Sequence, residues 1–83
     1  MNGTEAAGNA VRILAELTGK EAESVVGLES DDEGWKVLLE TVELHRVPAT
    51  TDVLATYEIA LDGDGELRGC RRLDRYSRGS TRD

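Results

Sequence analysis

Apolar residues change their spacing partway along this chain, and the change marks out its elements. Between Thr4 and Thr18, Ala7, Ala10, Val11, Leu14 and Leu17 recur at three- and four-residue intervals, with Ile13 beside them. That spacing gathers them on one stripe of an α-helix. Thr4 is placed to cap its start, with Glu5 in the first turn where the helix dipole favours an anion. Gly19 is placed to end it as a left-handed terminator. Beyond Gly19 the period shortens towards two, the mark of strands. Ser24 to Ser30 carries Val25, Val26 and Leu28 around Gly27. Asp52 to Leu61 alternates cleanly, with Val53, Ala55, Tyr57, Ile59 and Leu61 inward and Thr56 and Glu58 outward.

The segment from Trp35 to His45 is the exception. Trp35, Val37 and Leu39 share one face, whereas Val42 and Leu44 fall on the other. Either a bulge near Leu39–Glu40 brings all five to the core, or both faces are partly apolar and one awaits a partner.

Turn chemistry joins these pieces. Asp31-Asp32-Glu33-Gly34 reads as a hairpin turn with Gly34 at a positive φ. Pro48, in the loop from Arg46 to Thr51, lacks a donor and ends strand pairing there. Asp62-Gly63-Asp64-Gly65 reads as a three-residue hairpin loop with Gly65 left-handed, which pairs Leu61 with Leu67. Carried onward, that register sets Glu58 opposite Cys70, with Arg68 and Arg72 as diagonal neighbours. The tail from Ser77 to Asp83 is small and polar and expected to fray.

The product is a single α+β domain over residues 1–83: one N-terminal helix, about 4–18, packed on a four-stranded antiparallel β-meander, about 24–30, 35–45, 52–61 and 66–76. Both sheet edges are open in this reading, and the second one is rich in arginine.

Composition sharpens the picture. Eighty-three residues support one core, and with no Phe that core must be built from Leu, Val, Ile and Ala. No apolar run approaches the roughly 18 residues of a membrane span. The first residues lack the basic start and apolar stretch of a signal peptide. Cys70 is alone, so an internal disulfide is impossible, and a soluble cytoplasmic protein is expected. Net charge is −7, unevenly spread: residues 1–34 hold eight acids against Arg12 and Lys20, while residues 63–83 hold six arginines against four acids. Nucleic acid is disfavoured overall, although a local basic patch survives at the C-terminal end.

Few groupings carry chemistry. Asp62, Asp64 and Glu66 match the first three ligand positions of a calcium loop, but Leu67 and Leu73 stand where Gly and Glu are needed, so the stretch reads as a turn. His45 and Cys70 lie in different strands without a third partner, which favours packing over a nucleophile pair. Glu40, Glu43 and Glu58 beside arginines read as a salt-bridged face rather than an acid–base pair. Ligands for zinc and a glycine-rich phosphate cradle are missing. We therefore expect no catalytic, cofactor or metal site. The arginines 68, 71, 72, 75 and 78 around Tyr76 could contact phosphate or stack on bases, or pair with acidic protein surface.

The central stretch resembles the gas vesicle protein O family, accessory proteins of buoyant gas-filled vesicles. The resemblance rests on Gly34-Trp35, Glu40, Glu43, Arg46 and Pro48, then Asp52-Val53-Leu54-Ala55-Thr56-Tyr57-Glu58, Leu61-Asp62, Gly65-Glu66-Leu67, Arg72 and Arg75-Tyr76. It spans roughly residues 20–78, and Cys70 departs from it where an aromatic is expected. It implies a non-enzymatic role in building gas vesicles, in the cytoplasm or on the vesicles, through contacts with other gas vesicle proteins. Glu40, Glu43, Arg46, Glu58, Arg72 and Arg75 are the expected partner-binding residues, acting by strand addition or through the charged outer face. The alternative function is a small regulatory domain contacting nucleic acid through the C-terminal arginine strand.

Overall fold

The computed structural model describes residues 1–44 and 53–77 and, within them, the side chains of all but 43, 44 and 77. Expectations about His45, the loop with Arg46 and Pro48, and the tail 78–83 lie outside the described residues.

Helix α1 spans Gly3–Thr18. It starts earlier than expected because Asn2, not Thr4, is the N-cap. The Asn2 side chain accepts from the Glu5 amide at 2.9 Å, and the Glu5 carboxylate accepts from the Asn2 amide at 3.0 Å. Two otherwise unpaired donors are thereby satisfied in one reciprocal box. The far end closes as expected: Gly19 is left-handed at φ 73°, and its N–H donates to Ala15. The Thr18 hydroxyl donates to the Leu14 carbonyl at 2.7 Å and accepts from the Lys20 amide.

The buried helix face is Ala6, Ala10, Ile13 and Leu14. Ile13 flanks this face as expected yet is buried with it, and Ala7 is only half-buried. Leu17 shares the azimuth of Ala10 and Ile13 on a 100° helical wheel, yet it is 55% exposed. Its exposure is axial: the cover runs out before the last turn.

Four strands follow as a meander: β1 (Ala22–Asp31), β2 (Gly34–Leu44), β3 (Val53–Asp62) and β4 (Leu67–Ser77), in the order β1-β2-β3-β4 and antiparallel throughout. The Asp31 carboxylate accepts from the Glu33 amide in the first turn. Gly34 is obligatory after it. Its φ is 145°, and a Cβ there would lie 2.0 Å from the Leu61 carbonyl oxygen. The second turn is built on Asp62, whose carboxylate accepts from the amides of Asp64 and Glu66, with Gly65 at φ 87° donating to the Asp62 carbonyl. Leu61 pairs with Leu67 as expected.

The helix packs on one face of β1, β2 and β3. The core between them is Ala6, Ala10, Ile13 and Leu14 against Val37, Leu39, Ala55, Tyr57, Ile59 and Leu61. Thr41 completes the β2 row and is fully buried.

The ambiguity in β2 is resolved. It pairs with β3 without interruption from Gly34 to Val42, so there is no bulge at Leu39–Glu40. Val42 thus lies on the face away from the helix, together with Leu38 and Glu40. The irregularity in β2 falls later, at Glu43 between Val42 and Leu44, and the others fall in the edge strands. Extra residues Glu23 and Val26 interrupt β1, and Arg68 and Leu73 interrupt β4. The step at Arg68 moves the β4 register by one, so Glu58 faces Arg71 rather than Cys70.

Candidate functional site

The side of the sheet opposite the helix is the surface that needs explaining. Strand β3 is buried on both sides: Leu54 at 4% exposure and Thr56 at 7% lie outside the helix-side cluster. Around them stand Leu38 and Glu40 of β2, Glu58 of β3, and Asp74 and Tyr76 of β4. Two bulges add apolar side chains to this side, Val26 from β1 and Leu73 from β4, which are 51% and 44% exposed. A bulge leaves one residue unpaired and re-aims its side chain. Together Val26, Leu38, Glu40, Thr56, Leu73, Asp74 and Tyr76 line a hollow of about 360 Å³. A second hollow of about 330 Å³ adjoins it across Leu38, walled by Gly27, Glu29, Lys36 and Glu58. Gly27 is needed here for room: a Cβ would sit 2.9 Å from Leu38 Cδ1 and 3.2 Å from its Cγ.

The charged groups on this side are braced. The Tyr76 hydroxyl donates to the Glu40 carboxylate across β3. Arg71 Nε donates to Glu58 at 3.3 Å, with the Glu58 side chain 18% exposed and Arg71 69% exposed. Such a pair, open to water on one side, contributes up to about 1 kcal/mol. Farther along, Arg68 reaches the Glu33 carboxylate in the first turn, tying the start of β4 to the β1–β2 hairpin.

The six residues expected to bind partners do not form one surface. Glu40 and Glu58 share the uncovered face. Arg72 pairs with Tyr57 and Arg75 with Ala55, both core-facing positions, so these arginines belong to the helix side of the sheet. They stay exposed there because β4 lies beyond the strands on which the helix packs. The side chain of Glu43 and all of Arg46 lie outside the described residues. The arginine cluster is likewise divided: Arg71 on one face, Arg72 and Arg75 on the other, Arg68 held by Glu33. A single basic strip for a phosphate backbone does not form among the described residues.

Reactive chemistry is scarce as well. Cys70 faces Ile59 on the helix side, and partial burial pushes its thiol pKa up, away from the nucleophilic thiolate. Among the described residues no cluster of three or more His, Cys, Asp or Glu is placed to hold a metal ion. Among the described residues no helix is long and apolar enough to cross a membrane.

A family model described as gas vesicle synthesis protein GvpO matches residues 1–82. The chain belongs to the GvpO family. Gas vesicle protein O of a Streptomyces species is 56% identical over 66 residues, which cover 80% of this chain and 52% of that protein. Gas vesicle protein O1 of Halobacterium salinarum is 41% identical over 68 residues, 82% of this chain and 57% of that one. Gas vesicle protein O of Haloferax mediterranei is 38% identical over 69 residues, 82% and 49% respectively. The chain spans about half the length of the curated relatives it matches. No solved structure matches it.

In this GvpO chain the site residues that pattern reading missed are apolar: Val26, Leu38 and Leu73. Their signal was present as broken alternation. Val25-Val26 and Leu38-Leu39 are doublets that no single face can absorb, and Leu73 interrupts a run of arginines.

Proposed function

We propose that this chain serves gas vesicle formation as a non-enzymatic accessory protein, working by contact with other gas vesicle proteins. Its place of action is the cytoplasm, beside the vesicles being built. Family membership and the names of the relatives support the process. The observation that carries the mode of action is the sheet face opposite the helix, which no described element covers and where Val26, Leu38 and Leu73 surround a hollow bordered by Glu40 and Asp74. A sheet normally covers both faces or leaves one polar. Apolar side chains raised onto an uncovered face mark a protein contact. Glu40 and Glu58 belong to that contact; Arg72 and Arg75 border the opposite face.

The experiment is co-purification of the tagged chain with each product of its gas vesicle gene cluster, wild type against Leu38→Asp. An unchanged Trp35 emission spectrum checks that the variant folds. The proposal expects at least one product to be retained by wild type and lost by the variant. Equal retention by both would remove the sheet face from the proposal.

A further inference from the structure

In both outer pairings of the sheet the irregularity lies on the outer strand. Glu23 and Val26 are extra in β1 against an unbroken β2, and Arg68 and Leu73 are extra in β4 against an unbroken β3. The central pair runs without interruption from Gly34 to Val42. Among the described residues β1 and β4 are paired on one side only. An edge of this kind offers a row of N–H and C=O groups to any strand that meets it. The hazard is concrete in β1, where Val25, Val26 and Leu28 are all exposed. Topology adds to it, because the meander leaves β1 and β4 running in opposite directions. A copy shifted sideways without rotation would lay its β1 antiparallel on β4 of the first and leave the same edge for the next. Such a head-to-tail contact does not close, and it grows into a fibre.

An incoming antiparallel strand bonds to alternate residues of the edge it joins. Each inserted residue shifts that alternation by one and also bends and twists the strand. The longest regular runs left are Gly27–Asp31 in β1 and Gly69–Arg72 and Asp74–Ser77 in β4. A two-stranded contact is marginal even at full length, and these runs are shorter. We infer that the four inserted residues, Glu23, Val26, Arg68 and Leu73, block strand addition at both edges and so keep the chain from growing into a continuous sheet. The block is independent of what docks on the face opposite the helix, and it removes strand addition from the ways in which a partner attaches.

The test separates an inserted residue from its side chain. Deleting Val26 and Leu73 together removes one insertion from each edge, whereas Val26→Ser with Leu73→Ser keeps both insertions and loses the apolar groups. Sedimentation equilibrium reads the mass, Trp35 emission the fold, and hydrogen exchange the edge amides. Wild type and the double serine variant should stay at monomer mass. The double deletion should gain mass with concentration, without a plateau, and its β1 and β4 amides should exchange more slowly. A folded double deletion that stays monomeric would overturn the block. So would a serine variant that associates as the deletion does, or a wild type already joined through its edges. A second measurement does not depend on the deletion folding: a peptide of residues 67–77 lacking Arg68 and Leu73 is titrated onto the wild-type chain, with amide shifts read by nuclear magnetic resonance. The block predicts no saturable shift in β1 or β4, and saturable shifts there would overturn it. If the deletion associates while Leu38→Asp still co-purifies as wild type does, the block stands and the docking face falls. The opposite pair of results keeps the docking face and removes the block.

Discussion

Thr41 offers a sharp test of how the helix and sheet are packed. It sits in the helix-side row of β2 between Ala22 and Ala55, fully buried, and its hydroxyl has no hydrogen-bond partner among the described residues. A hydroxyl taken out of water without a new bond costs about 1–3 kcal/mol on mutational scales. Thr41→Val replaces that oxygen with a methyl of similar size, and burying one more methyl contributes about 0.8 kcal/mol. Both residues are β-branched and favour strands, so the backbone has no reason to move. The variant should therefore be more stable by about 1–3 kcal/mol, and each kcal/mol raises Tm by roughly 4–8 °C in a domain of this size. Thr41→Ser keeps the oxygen and loses the methyl, and should be less stable by about 1 kcal/mol. Urea unfolding followed by Trp35 fluorescence measures both, provided the m-value is unchanged. A Thr41→Val protein no more stable than wild type would mean the hydroxyl is satisfied, and the row is not packed as described.

Gly34→Ala should cost at least about 1–3 kcal/mol, because it forces an L-residue to φ 145° and drives a Cβ to within 2.0 Å of the Leu61 carbonyl; a neutral result in the same assay would contradict the turn. Asn2→Ala removes the capping box and should cost about 1 kcal/mol, whereas Thr4→Ala, inside the first turn, should change stability by less than about half that. Cys70 is exposed, but partial desolvation raises its pKa, so it should alkylate with iodoacetamide more slowly at pH 8 than an unstructured cysteine. The same shift makes folding favour the protonated thiol. That contribution is undiminished below the unfolded cysteine pKa and counts against the fold as pH rises above it. An accelerated alkylation would refute the raised pKa.

What the sequence made legible was what local rules control. The core-facing row of β3 was readable to within a residue, although Leu54 and Thr56 on its other side are buried too, and the turns at Gly34 and Gly65 followed from their chemistry. The start of the helix was readable in principle, since Asn2 and Glu5 have capping-box spacing, but Thr4 offered a competing cap and local pattern does not rank the two. Leu17 was placed at the right azimuth, yet where the sheet stops along the helix axis is a tertiary fact. The bulges were invisible. Nothing about Arg68 or Leu73 as residue types says that they are unpaired, and the step at Arg68 reverses which face Arg72 occupies, while the second step at Leu73 returns Arg75 to the side it has without either. Of the partner-binding set, Glu40 and Glu58 are therefore on one side and Arg72 and Arg75 on the other, and Leu38 and Leu73, which distinguish the face away from the helix, were assigned to neither side.

The central claim is that the sheet face opposite the helix is where another gas vesicle protein sits. Hydroxyl-radical footprinting of the co-purified complex, compared with the free chain, measures this side chain by side chain. Val26, Leu38, Leu73 and Tyr76 should lose reactivity in the complex while Leu17, exposed at the end of the helix, keeps its own. Protection of Leu17 with Val26, Leu38 and Leu73 unchanged would put the partner on the other side and contradict the claim.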